Sequence, residues 1–325
     1  MNSDESYGYR RLTPEARVYI AGHTGLVGSA LLRRLRKGGY NNLLTRSSDE
    51  LDLTRRTEVE AFFREERPEF VLLAAARVGG ILANDSFPGD FIRENLLIQT
   101  NVIDAARRHG VQRLLFLGST CIYPRECPQP MKEEHLLTGQ LEETNEAYAV
   151  AKIAGVKMCE AFNDQYGTRY LPVMPTNLYG PGDDFDLESA HVLAAFIRKF
   201  GEASIRGDNA VTIWGTGEPQ REFLHVDDLA DACVFLLEKT DRTELLNIGI
   251  GEDISINSLA ELVADVVGFK GKIEHDLSKP DGTPRKLVDT SKLDELGWEP
   301  SIGLREGIRK TWEWYRDKQL EDAVK

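Results

Sequence analysis

Cysteine is scarce in this chain of 325 residues, and the four present, Cys121, Cys127, Cys159 and Cys233, form no Cys-x-x-Cys pair. They also keep no metal-ligand spacing with the six histidines, so no metal is expected, and the expectation is free thiols in a reducing cytoplasm. No apolar run approaches the roughly 18 residues of a membrane span, which leaves no membrane role to expect. Positive charge is short as well, with 40 Lys and Arg against 53 Asp and Glu and a formal net charge of -13. That excess of acid opposes nonspecific nucleic-acid binding and repels anions at long range, so a phosphate-bearing ligand would require a locally positive pocket. Residues 1–16 are polar and lack the apolar core of a signal peptide; a mobile tail is expected there. Repeats and low-complexity segments are absent.

What is present is ordinary in bulk, 41% apolar and 29% charged, and the length suits two unequal α/β domains. Organisation begins at Arg17-Val-Tyr-Ile-Ala21, a β-prone run that leads into Gly22-His-Thr-Gly25-Leu-Val-Gly28 and then an apolar-striped helix through Ala30, Leu31 and Leu35. A strand, a glycine turn and a helix in that order let backbone approach a pyrophosphate, which then rests on free N–H groups at the helix N-terminus. Gly22, Thr24, Gly25, Leu26, Val27 and Gly28 are therefore candidate cofactor contacts. A second strand, residues 42–45, ends at Arg46, where an NAD enzyme would carry an acid for the ribose 2′-hydroxyl. Arginine there suits a 2′-phosphate, so NADPH is the expected cofactor, although a solvated charge would look the same. Asp52 and Leu53 could touch the adenine or lead into a helix beginning near Arg55.

Phe70 to Ala76 reads as a buried third strand whose small terminal residues, Ala75 among them, let a cofactor lie close. A helical stripe over about residues 90–109 and a fourth strand at residues 113–117 continue the alternation of a doubly wound parallel sheet, whose ligands bind beyond the strand C-termini. At that end stands Ser119. Tyr148 and Lys152 follow in Glu146-Ala-Tyr-Ala-Val-Ala-Lys152, four residues apart and on one face of a predicted helix. The three fit carbonyl chemistry. The serine donates to a carbonyl oxygen, the tyrosine exchanges its proton, and the lysine lowers the tyrosine pKa while holding cofactor ribose.

These residues resemble the extended short-chain dehydrogenase/reductase family, through Gly22-x-x-Gly-x-x-Gly28, Ser119 and Tyr148-x-x-x-Lys152. The resemblance is narrower in Leu117-Gly-Ser-Thr-Cys-Ile-Tyr-Pro124, Glu142 to Gly155, Met174-Pro-Thr-Asn-Leu-Tyr-Gly-Pro181, Arg221-Glu-Phe-Leu-His-Val-Asp-Asp228 and Lys279 to Lys286. Those stretches are similar to epimerase-reductases that use NADPH to act on GDP-4-keto-6-deoxy-D-mannose, a GDP-sugar. The resemblance assigns C3/C5 epimerisation to Cys121 and His191, followed by hydride reduction at C4. It adds Pro175, Asn177, Leu178 and His191 beside the nicotinamide, puts Lys199, Trp214, Arg221 and Asp281 at substrate-binding positions, and implies a homodimer built on the helices near Asp90 and Asn145. Relatives carry further basic residues where this chain has Thr24 and Ser48, which leaves Arg46 as the main candidate for the 2′-phosphate.

The expected architecture is a Rossmann-like NADP-binding domain over residues 17–180 and a smaller nucleotide-sugar-binding domain over residues 181–325, with about 222–250 packing back on the first. Trp214 could instead be core, His225 reads as structural, and Asp227 or Asp228 as a helix N-cap. Two alternatives stay open: another nucleotide-sugar epimerase or a dehydratase of the same family, and a non-catalytic dinucleotide sensor. Cys121-Ile122 stands where dehydratases carry an Asp-Glu pair, and both Tyr148 and Lys152 are present, which weighs against each.

Overall fold

The computed structural model describes residues 10–187, 189–279 and 281–324. Short apolar runs alternate with apolar-striped segments through the first half of the chain, and each adopts the element its pattern favours. In order these are β1 (Val18–Ala21), α1 (Leu26–Lys37), β2 (Leu43–Leu44), α2 (Arg56–Glu66), β3 (Phe70–Leu73), α3 (Ile81–Ser86), α4 (Pro88–Arg108), β4 (Arg113–Leu117), α5 (Glu146–Tyr166) and β5 (Tyr170–Pro175). The third strand stops at Leu73, earlier than its apolar run, because Ala74–Ala76 turn out along the cleft floor.

The second half contains β6 (Asn177–Tyr179), α6 (Val192–Arg206), β7 (Ala210–Trp214), β8 (Gln220–Arg221), β9 (Phe223–His225), α7 (Val226–Lys239) and β10 (Leu246–Ile248). It continues with β11 (Ile254–Ser255), α8 (Ile256–Val267), β12 (Lys272–Asp276), β13 (Arg285–Lys286), α9 (Ser291–Asp294) and α10 (Leu304–Val324).

Six parallel strands form the main sheet in the order β2-β1-β3-β4-β5-β10. The chain leaves β1 in one direction to β2 and crosses back to β3 on the other side, so the switch point of this doubly wound sheet lies between β1 and β3. One face is covered by α2, α4 and α5 through Val59, Phe63, Val102, Ala149 and Val156; the other is covered by α1 and α7 through Leu31, Leu35, Leu229 and Val234. The Arg33–Asp227 and Arg34–Asp231 pairs, each 2.6 Å, join α1 to α7. A third core packs α6, α8 and α10 around Phe196, Phe200, Val263 and Trp312.

Two expectations change. Part of the expected tail, residues 1–16, lies outside the described residues, but Leu12 is buried and its N–H donates to the Leu237 carbonyl at 3.1 Å, and Ala16 is also buried. The described part is thus packed on α7, because its apolar residues find a core face to cover. The N-cap of α7 is His225, whose Nδ1 accepts from the Asp227 N–H at 3.2 Å. Asp228 is free of capping duty and takes the Ser301 and Ile302 N–H groups.

Buried charges hold this arrangement by bonding to backbone. The Arg113 guanidinium donates to the carbonyls of Leu236, Leu237, Thr240 and Arg242, closing the carbonyl-rich C-terminus of α7. Glu222, between β8 and β9, accepts from Ile250 N (2.6 Å) and Gly251 N (2.8 Å) at Oε1, and from Val288 N (3.0 Å) at Oε2. One carboxylate therefore ties the loop after β10 to the segment after β13. Glu222→Gln puts an amide N–H against one of those donors and is expected to destabilise the protein by about 1–3 kcal/mol. Chemical denaturation reads this directly; an unchanged midpoint would show that the clamp contributes nothing.

Candidate active site

The first wall of the site is made by glycine. Gly22 leaves β1 with φ 84°, and a Cβ there would lie 2.7 Å from the Ala75 backbone N; one on Gly28 would lie 2.0 Å from the Gly22 carbonyl oxygen. Only hydrogen fits at either position, so loop, helix and the strand end beyond β3 close to backbone distance at the switch point. The N-cap of α1, Gly25, has no side-chain cap, and its first turn carries no acid. Free N–H groups and the positive end of the helix therefore face the cleft, which fits a pyrophosphate.

That cleft is a cavity of about 1490 Å³ between the main sheet and the α6–α8–α10 unit. The structure brings every predicted site residue to its wall: the glycine loop, Arg46, Asp52, Leu53 and Ala75 at one end, Ser119, Cys121, Tyr148, Lys152, Pro175, Asn177, Leu178 and His191 in the middle, and Lys199, Trp214, Arg221 and Asp281 at the other. Several are already engaged. Arg46 pairs with Glu66 and lies 5.5 Å over the Phe62 ring. The Asp52 carboxylate holds the Thr54 N–H at 2.9 Å, which makes it a turn-former before α2. Asp281 accepts from Thr216 N and Oγ1 at 2.9 and 2.7 Å, bracing the turn after β7.

In the middle, Ser119 caps a 3-10 turn, Thr120–Ile122, that carries Cys121 into the cleft. The Ser119 hydroxyl accepts from the Cys121 N–H at 3.5 Å, and its polarity acts on both the Tyr148 phenol and the Cys121 thiol, so three polar groups from β4's end and α5 come together in the cleft. Lys152, one turn after Tyr148, donates to the Leu117 carbonyl at 2.9 Å and sits 5.7 Å from the Tyr148 ring centroid.

Electrostatics here differ from the sequence expectation. Lys152 does not bring the phenol toward neutral titration: burial pushes the Tyr148 pKa well above the ordinary tyrosine value, the Cys121 sulfur adds to the rise, and the Ser119 hydrogen bond only partly opposes it. Desolvation wins because the lysine ammonium is aimed at a carbonyl rather than at the phenol oxygen. The same burial lowers Lys152 to about 8. Tyr148 is thus held in its protonated form. Burial also raises the Cys121 thiol, with Ser119, Lys286 and Lys152 pulling it down. His191, the N-cap of α6, faces the cleft; desolvation lowers its pKa and Asp184 raises it.

At the far end Trp214 is 52% exposed, which overturns its reading as core. Its ring is flanked by two ammonium groups, Lys199 at 5.7 Å and Lys279 at 5.2 Å. Arg221 completes a positive end in an acidic protein, with burial lowering its pKa. The cleft therefore joins a glycine-lined helix N-terminus to the Ser119, Cys121, Tyr148 and Lys152 cluster and then to a cationic, aromatic-lined end.

Residues 18–249 match the family model described as the NAD dependent epimerase/dehydratase family. This chain belongs to that family. Within the family it is 57% identical over 300 residues to GDP-L-fucose synthase 1 of Arabidopsis thaliana, covering 92% of this chain and 93% of that one. It is 49% identical over 312 residues to the GDP-L-fucose synthase of Escherichia coli strain K12, covering 93% and 97%. A solved gdp-l-fucose synthetase from Naegleria fowleri bound to NADP superposes with a TM-score of 0.89 at 27% identity, covering 97% of each chain.

Two cleft residues of this family member escaped the sequence reading. Asn145, just before α5, has a buried Oδ1 with no hydrogen-bond partner, and Lys286, on the two-residue β13 next to Arg221, lines the same cavity as Cys121. Neither has a periodicity or spacing that could mark it. Among the described residues no helix is long and apolar enough to cross a membrane.

Proposed function

We propose that this chain is an NADPH-dependent epimerase-reductase that converts GDP-4-keto-6-deoxy-D-mannose to GDP-L-fucose. The observation that carries the reading is that Ser119, Cys121 and Tyr148 share one stretch of wall in a cleft that runs from the glycine loop to a cationic end, with the Cys121 N–H on Ser119 Oγ. Bound NADPH supplies the hydride for C4.

The residues of this chain supply the rest. Gly22 to Gly28 and the N-terminus of α1 hold the pyrophosphate, Lys152 the ribose, and Pro175, Asn177 and Leu178 line the nicotinamide position. Asn177 is fixed for that by its Nδ2, which donates to the Glu222 carbonyl at 2.8 Å. Arg46, paired with Glu66 on the cleft wall, would hold the 2′-phosphate. Lys199 and Arg221 offset the diphosphate, Trp214 offers a flat face, and Asp281 keeps the adjoining turn in place.

The sugar carbonyl lies against Ser119 and Tyr148, whose O–H groups polarise it and acidify the protons on both C3 and C5. The Cys121 sulfur takes such a proton, and the C–H electron pair moves into the carbon–carbon bond while the carbonyl pair settles on oxygen. His191 returns a proton on the opposite face from its protonated form, which burial disfavours and Asp184 favours, keeping the N–H pair on its nitrogen. Because both carbons flank one carbonyl, one site serves both inversions. After them, Tyr148 would give its proton to the C4 oxygen in the reduction.

Purified protein supplied with GDP-4-keto-6-deoxy-D-mannose should oxidise NADPH, read by absorbance, and no oxidation by folded protein would overturn the reading. Two finer assignments belong to the same proposal. The four buried free cysteines fit a reducing cytoplasm, which cell fractionation would check. The exposed Leu97 on α4 and Val150 on α5 fit a homodimer face, and a monomer mass by light scattering would refute it.

A further inference from the structure

Cys121 meets a chemical conflict. Taking a proton from carbon requires the thiolate, yet the thiol sits in a buried position that favours the neutral form. A cation near the sulfur resolves this, and two lysines share its cavity wall. Lys152 is already engaged by the Leu117 carbonyl. Lys286 approaches from the other side of the cleft, on β13, where it pairs in parallel register with Arg221 of β8.

Lys286 is fixed in place without being neutralised. The residues after it are pinned: Leu287 N donates to Gln129 Oε1 at 2.9 Å, Leu287 O accepts from Met131 N at 2.8 Å, and Val288 N donates to Glu222. The ammonium itself has no hydrogen bond or ion pair among the described residues. Burial lowers its pKa, Cys121 raises it, Arg221 lowers it and Glu142 raises it. On the sulfur's side the groups that act are the Ser119 hydroxyl, Lys286 and Lys152. A desolvated, unpaired ammonium on the same cavity wall as a desolvated thiol makes a pair in which each charged form favours the other.

We propose that Lys286 is a positioning residue for Cys121: its ammonium, set by the pinned β13 segment, stabilises the anionic sulfur that removes the proton from the keto sugar. This rests on Cys121 being the epimerisation base, but its first readout needs no sugar. Iodoacetamide alkylation of the NADP-loaded enzyme is followed at Cys121 by peptide mass spectrometry over a pH series. In Lys286→Met, alkylation at pH 7 should slow about tenfold, the equivalent of one pKa unit, with its midpoint moved to higher pH. Lys286→Arg should restore most of the wild-type profile, and solvent-deuterium entry at C3 and C5 should fall with the Met variant and recover at higher pH. Lys286→Gln gives the same comparison if the Met variant does not fold. Wild-type alkylation profiles in the Met or Gln variant, with only a raised KM for the GDP-sugar, would overturn the proposal and give Lys286 to the diphosphate. A Lys286-dependent Cys121 in an enzyme that does not turn over the sugar would instead fault the proposed function alone.

Discussion

Tyr148→Phe should lower NADPH oxidation in the presence of GDP-4-keto-6-deoxy-D-mannose by about 10²–10⁴-fold, the contribution expected of one positioned proton donor. The loss should be confined to chemistry. The substitution removes only a hydroxyl; the ring keeps its edge-to-face packing on Phe91, at 6.4 Å, and the glycine loop proposed to hold the cofactor is untouched. NADPH binding, read by fluorescence titration, should therefore change little. The pH dependence follows from the two partners. Burial keeps the phenol protonated throughout the neutral range, so Tyr148 contributes no loss of rate there. Lys152 is lowered to about 8: below that pH it is the ammonium that the proposed ribose contact uses, and above it the charge is lost. The reduction rate should thus fall as pH rises past about 8. A Tyr148→Phe variant within tenfold of wild type would remove Tyr148 as the donor, and a rate that climbs through pH 8 would contradict the need for a charged Lys152.

The alternation of apolar runs made the parallel sheet legible, and the three glycines marked the switch point because only their missing side chains allow loop, helix and strand end to meet. Tyr148 and Lys152 were legible for a similar reason: a four-residue helical spacing survives folding intact. Their electrostatics were not, since spacing gives proximity but cannot say that Lys152 is aimed at the Leu117 carbonyl or how dry the phenol becomes. Glu222 and Arg113 lay outside sequence reasoning for another reason. Their partners are backbone groups of segments distant in the chain, such as Ile250 and Val288, and a backbone partner leaves no residue pattern. Lys286 combines both difficulties, being a single lysine on a two-residue strand whose relation to Cys121 exists only once β8 and β13 have paired.

Cys121→Ser should reduce solvent-deuterium entry at C3 and C5 by about 10²–10⁴-fold, the scale of a general base lost from its place. Serine preserves the volume of the side chain, and the N–H at position 121 can still donate to Ser119 Oγ, so the turn that presents the residue should persist. What changes is acidity. A serine hydroxyl lies so far above a thiol in pKa that neighbouring Lys286 and Lys152 cannot bring it to an anion near neutral pH. The polarising pair Ser119 and Tyr148 is unaltered, and so is the hydride path to C4. A variant that still oxidises NADPH slowly but exchanges no carbon-bound hydrogen would separate the two halves of the reaction: proton abstraction by a thiolate on the turn after β4, and proton donation by a phenol on α5. Exchange at the wild-type rate would remove Cys121 from the mechanism, and with it the sulfur that Lys286 is held to serve.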